Sequence, residues 1–307
     1  MAKYYPEGVL NSCQENRDNI KSLITLQSSM MCDKILEARA IVCDSSHNLI
    51  VDLGFMRGII PREEGAVGIA EGVTKDIAVI SRVNKFVCFK IKSFSKDIND
   101  KPIAILSRRE AQLDCMENYI QKLRPGDVID AKVTHMESFG CFVDIGCGIA
   151  SMIPIDAISV SRISHPNNRF YNGQRIKAVV KSIDGDGRIC LTHKELLGTW
   201  EENANEFSVG ETVAGIVRSI ESYGIFVELA PNLAGLAELK EGVEVGQSAS
   251  VYIKSLIPEK MKAKLIIVDS FDAGGETLNS RYFFEGSHMD YWKYSPDCCE
   301  RVIETVF

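Results

Sequence analysis

The chain has 307 residues, 45% of them apolar and 25% charged, and a net charge of −7. No apolar run approaches the roughly 18 to 20 residues that a membrane helix needs, and the opening MAKYYPEGVLNSCQENRD lacks the basic-then-apolar order of a secretory signal. The expected location is therefore the cytoplasm, with no membrane partner, and the ten cysteines are expected as thiols. They contain no C-x-x-C, and the vicinal Cys298-Cys299 cannot by itself complete a tetrahedral site, so no metal or other cofactor is expected.

Residues 1–33 form an N-terminal arm in which Ile20, Leu23, Ile24, Met30 and Met31 recur at loosely helical spacing, predicting helix packed on whatever follows. Residues 34–107 hold the faintest of three copies of one phrase, SHNLIVDLG at 46–54. The full phrase stands at 138–146 as SFGCFVDIG and again at 222–229 as SYGIFVEL, 84 positions on. A fixed period of this kind predicts a tandem array. Ser107-x-x-Glu110 has the form of a capping box and opens a helical linker over 108–123.

Repeat two, residues 124–193, reads as five strands at about 128–136, 139–145, 149–154, 174–183 and 187–191, with Asp184-Gly185-Asp186-Gly187 as a tight turn between the last two. Thr192-x-x-Glu195 has the same capping form and predicts a second helical linker, 194–206. Repeat three, residues 207–270, lacks 11 residues that repeat two carries in SVSRISHPNNRF. The extension 271–307 holds 8 of the chain's 24 aromatics and is expected to cap repeat three, since such density left uncovered would be a large exposed apolar patch. The fold class that follows is all-β: three tandem five-stranded OB-fold barrels joined by short helices, with a helical arm and an aromatic-rich extension.

Charge falls along the array, from +3 over 34–113 to 0 over 125–197 and −3 over 207–272. A nucleic-acid binder without a basic face relies on stacking against bases more than on neutralising phosphates, which favours single strands over duplex. Alternation along strand two of repeat two sends Val143 and Ile145 inward and leaves Phe142 on the outer face with Asp144.

Repeat two, from PGDVIDAKVTHMESFGCFVDIG through NGQRIKAVVKSIDGDGRICLTHKE, closely resembles the RNA-binding module named after bacterial small-subunit ribosomal protein S1, and the resemblance extends over about 34–270. It implies RNA contacts at Phe139, Phe142, Asp184 and Arg188; the histidine that the family usually carries on strand three is replaced here by Pro154. His165, in the loop absent from repeat three, is a further candidate contact. Repeat three keeps Tyr223 and Phe226, has Glu238 at the histidine position, and puts Lys264 in place of the arginine. Repeat one has His47 and Ile50 where the aromatics belong and Pro61 for the histidine, so it is expected to bind little RNA.

The resemblance implies a protein of translation that holds or recruits single-stranded mRNA at the ribosome, with repeat one and the arm facing the small ribosomal subunit. The alternative is an accessory factor of RNA decay or transcription, where the same module occurs. No enzyme is expected: Cys190 and His193 lie close in sequence without a third group, and Asp184 with Asp186 begins a calcium-loop pattern that is not completed.

Overall fold

The computed structural model describes residues 4–97, 99–272 and 281–307. The all-β architecture is as expected: three closed five-stranded barrels follow one another along the chain. The first is built from β1 (Leu36–Cys43), β2 (Leu49–Asp52), β3 (Arg57–Ile60), β4 (Phe86–Lys96) and β5 (Pro102–Ser107) in the order β1-β2-β3-β5-β4. The second uses β6 (Val128–Glu137), β7 (Gly140–Asp144), β8 (Ala150–Pro154), β9 (Arg175–Ile183) and β10 (Ile189–Thr192) in the order β10-β8-β7-β6-β9. The third uses β11 (Thr212–Glu221), β12 (Gly224–Ala230), β13 (Leu233–Ala237), β14 (Ser248–Ile257) and β15 (Lys262–Phe271), closed as β11-β12-β13-β15-β14.

The chain divides into two compact units. The first holds residues 1–123 with 130–132 and 144–150. Its arm carries the helices α1 (Gln14–Asn19) and α2 (Leu23–Met31), the second opened by Ser22, whose hydroxyl accepts the Thr25 N–H. Leu26 anchors this arm in the barrel core, with Ile20 and Met30 packed against it; Leu23, Ile24 and Met31 face outward, because short helices bury only one stripe.

Ahead of α1 the chain turns at Glu7 and forms a 3-10 turn at Leu10–Ser12, and Glu7 becomes the centre of a buried charge network. Its carboxylate takes the Arg108 Nε–H at 2.6 Å, and its backbone N–H donates to Asp144 Oδ2 at 2.7 Å. Asp144 is thus covered and only 4% exposed, not outward beside Phe142 as strand alternation suggests. Burial first, then the Glu7 carboxylate, push it up to about 7.

The second unit holds 124–129, 133–143 and 151–307. The segment that repeat three lacks turns out to be a clamp on repeat three. Arg169, near its end, forks onto Glu228 of β12, and Arg218 of β11 donates its Nε–H to the same carboxylate at 2.6 Å. Val160 N–H donates to Asn232 Oδ1 at 2.9 Å, and Asn232 Nδ2 donates to the Lys194 and Gly198 carbonyls.

The predicted linker helix at Thr192 is absent: Lys194–Leu197 is a single 3-10 turn, and the Thr192 hydroxyl bonds the Glu195 carboxylate instead. The reciprocal capping box sits later, at Thr199 and Glu202, and opens a helix of one turn, Trp200–Ala204. In the earlier linker Ser107 does cap the helix Arg108–Asn118, but the Glu110 carboxylate pairs with Lys92 rather than closing a box. The extension packs as expected, with Met289, Trp292 and Tyr294 buried in the core of repeat three beside Trp200. It also bonds repeat two, through Val128 N–H to the Ser287 carbonyl and Met289 N–H to the Gly126 carbonyl.

His193 lies at the knot of these segments, fully buried between the rings of Phe170 and Tyr282. The Ile158 carbonyl can only accept, so Nδ1 carries the proton and Nε2 accepts from the Tyr282 hydroxyl. Both nitrogens are thereby occupied. Among the described residues, no group of three His, Cys, Asp or Glu side chains is placed to hold a metal ion.

Two consequences are measurable. Glu228→Gln leaves two guanidinium groups facing a neutral amide in a dry interior and should cost about 3 to 5 kcal/mol in chemical denaturation; a loss below about 1 kcal/mol would contradict the clamp. Burial holds His193 down at about 4, against an ordinary value of 6.5. The unfolded chain therefore binds this proton first, so the contribution is complete above pH 6.5 and is lost as pH falls towards 4, about 3 kcal/mol in all. His193→Gln should flatten the stability profile across that window.

Candidate nucleic-acid interface

The repeated phrase has a local cause. A Cβ on Gly140 would lie 2.7 Å from the Ile153 carbonyl oxygen, and one on Gly224 would lie 2.5 Å from that of Ala237, 84 positions further on. Only glycine lets the start of strand two approach strand three this closely. The residue before it, at the tip of the hairpin, is therefore turned outward: Phe139 is 55% exposed and Tyr223 67%. Two residues beyond each glycine, on the same outer face, stand the half-buried Phe142 and Phe226.

The same ring geometry results twice. Phe139 meets Phe142 edge to face at 6.0 Å between centroids and 89° between planes; Tyr223 meets Phe226 at 6.1 Å and 90°. Such a pair fixes both rings while leaving π faces open to solvent. In repeat two the array continues onto strand one, where the His135 ring stacks on Phe142 at 6.2 Å and 23°. His135 was not marked by the sequence pattern. The available signal was two successive outward residues, Thr134 and His135, where the strand shifts phase.

The remaining sequence candidates divide. Arg188 is exposed immediately before β10, where its guanidinium can reach a phosphate. Asp184 is committed to its own turn, where Oδ1 accepts the N–H groups of Asp186 at 2.9 Å and Arg188 at 2.8 Å. Asp97 of repeat one does the same for Asn99 and Lys101, in a barrel that lacks the outward aromatic pair, so this aspartate is a turn former first. His165 caps the 3-10 turn Pro166–Asn168, its Nδ1 accepting the Asn167 N–H at 3.2 Å.

Lys264 is exposed, but its register differs from the expected one. Leu236 pairs with both Phe226 and Lys264, while in repeat two Met152, 84 positions before Leu236, pairs with Cys190. Lys264 thus stands at the Cys190 position, and Lys262 at that of Arg188. The hairpins before the last strand differ in length, Ile183 pairing with Ile189 in repeat two and Ile257 with Lys262 in repeat three, so the position on that strand does not carry over by counting. In repeat one the equivalent row across the sheet is Val42, Ile50, Ile59 and Ile105, wholly aliphatic. His47 takes a left-handed turn, φ 63°, and points its Nδ1 at Asp76, 3.6 Å away.

With this geometry in place, comparison with known proteins assigns the module. Residues 122–194 match the S1 RNA binding domain. Repeat two is therefore an S1 RNA-binding domain, and the chain as a whole is similar to ribosomal proteins of the bS1 kind. It is 29% identical over 263 residues to the small ribosomal subunit protein bS1 homolog of Bacillus cereus, covering 81% of this chain and 64% of that one. It is 30% identical over 264 residues to small ribosomal subunit protein bS1 of Staphylococcus aureus, covering 80% and 64%. The chain thus spans about 64% of the length of these curated relatives. A multidomain protein with nucleic acid binding domains from Streptococcus pneumoniae is aligned over 77% of this chain and 74% of that one, at 14% identity and a TM-score of 0.26.

The S1 face of repeat two should bind by stacking. Phe139→Ala with Phe142→Ala should weaken single-stranded RNA binding by roughly 30-fold or more, at about 1 to 3 kcal/mol per stacked base, while the variant stays folded because neither ring is in the core. Because repeat two carries no net charge, the salt dependence should be shallow; a steep slope would point to phosphate contacts instead. Fluorescence anisotropy across a salt series reads both.

Proposed function

We propose that this protein binds single-stranded RNA through repeats two and three and acts in translation, holding mRNA at the small ribosomal subunit. The observation that carries the RNA half is the edge-to-face aromatic pair, presented outward at equivalent positions of two S1 barrels. Repeat two, with three rings and Arg188, is the principal site. Repeat three, with two rings and the lysines Lys262 and Lys264, is the auxiliary one.

The ribosomal half rests on the bS1 relatives and on repeat one. Its row Val42, Ile50, Ile59 and Ile105 offers no π face for a base, whereas an aliphatic strip flanked by Arg39 and Arg57 has the composition of a protein-binding core with a polar rim. Repeat one is thus read as the docking module, with the arm folded onto the same compact unit.

The test keeps the whole chain and changes this row alone. Val42→Glu with Ile50→Gln should reduce co-sedimentation with small ribosomal subunits about tenfold or more, the scale of losing an interface anchor, and leave oligonucleotide binding within about twofold. Unchanged co-sedimentation would reject repeat one as the docking module.

A further inference from the structure

We infer that His135 and Glu137 of repeat two form a base-reading dyad beside the aromatic platform, which gives this S1 repeat a preference for nucleobases bearing amino groups. The inference rests on the proposed RNA-binding role and adds what the site selects. Phe139 and His135 each contact Phe142, and Glu137 in turn contacts His135, so the four side chains form one connected outward group. The His135 Nε2 and Glu137 Oε1 are 2.6 Å apart. A carboxylate can only accept, so Nε2 carries the proton and the imidazole is held in one orientation, parallel to the ring it stacks on.

Both side chains are open to solvent, His135 at 61% and Glu137 at 48%. The fold has no structural use for them. Neither belongs to the buried core, and an exposed pair of this kind contributes little to stability. What the arrangement does have is direction. A base stacked on the Phe142 and His135 plane presents its edge along that plane, where Glu137 supplies a charged acceptor. Cytosine N4, adenine N6 and guanine N1 and N2 can donate to it; uracil has no amino group, and its one donor on that edge, N3–H, sits between two carbonyl oxygens that a carboxylate repels. The same negative charge keeps the phosphate backbone on the opposite side of the platform, towards Arg188.

Repeat three lacks the dyad. Glu221 stands 84 positions after Glu137, but Ser219 replaces His135, so nothing holds the carboxylate in the plane of the rings. Selectivity is accordingly assigned to repeat two alone, and repeat three stacks without reading.

The experiment measures affinity of the full chain for 12-nucleotide oligo-C, oligo-A and oligo-U. The parent should favour oligo-C and oligo-A over oligo-U by about fivefold, the factor that one hydrogen bond of ordinary net strength supplies. Glu137→Ala should bring the ratios to near one by weakening oligo-C and oligo-A only. His135→Phe keeps a stacking ring but releases the carboxylate, so it should lose the preference. A parent without preference, or a Glu137→Ala variant that retains it, overturns the dyad. Phe139→Ala with Phe142→Ala separates the two claims: binding that survives that change rejects the platform itself, whereas lost binding together with an unchanged base preference in Glu137→Ala rejects only the dyad.

Discussion

The second unit depends on one carboxylate. Glu228 is fully buried on β12 and shared by Arg169 and Arg218, so a segment inserted in repeat two, strand one of repeat three and strand two of repeat three meet at a single charge. Removing these ions from water costs several kcal/mol each, and the pairing offsets that cost only in one geometry. A cluster of this kind specifies arrangement more than it adds stability. An apolar contact of the same size could slide; a bidentate guanidinium on a carboxylate cannot without leaving charge unpaired.

The rest of that unit is built around this fixed point. Asn232, a few residues beyond Glu228, ties the same insertion to the Lys194 and Gly198 carbonyls, and its own carbonyl accepts the Tyr294 hydroxyl at 2.6 Å. The extension is drawn into the core of repeat three through Trp292 and Tyr294 while Ser287 and Met289 bond the opening of repeat two. Repeats two and three are consequently not beads on a string, and the two aromatic pairs are presented by one compact body. Binding a strand across both does not require ordering a flexible linker, which removes part of the entropic cost of the second contact.

The three barrels show how one backbone supports different surfaces. The row across strands one, two, three and five is His135, Phe142, Met152 and Cys190 in repeat two; Ser219, Phe226, Leu236 and Lys264 in repeat three; and Val42, Ile50, Ile59 and Ile105 in repeat one. None of these residues is needed to close a barrel, since the inward neighbours such as Val51, Val143 and Val227 do that in every copy. The outward row is free to change its chemistry, and the fold therefore does not decide what each repeat binds.

The array, the five strands of each repeat, and the outward Phe139, Phe142, Tyr223 and Phe226 were all legible in the chain, because period, alternation and glycine position are local properties that a barrel cannot override. The packing of the extension was legible for a related reason, since eight aromatics in 37 residues must be covered. Asp144 was misplaced because a strand's own period says which way a side chain points but not whether a distant segment, here Glu7, lies over it. The capping box at Thr192 was misread because a Thr-x-x-Glu pattern is a local opportunity that the buried Glu195, which also accepts from Thr305, takes up differently. The two-residue slip at Lys264, the clamp role of the insertion and the stacking of His135 on Phe142 all arise from register and contact between segments far apart in sequence. Local patterns determined the barrels and their outward rings; which of those rings gain a neighbour, and which charges become buried, was decided only when the segments came together.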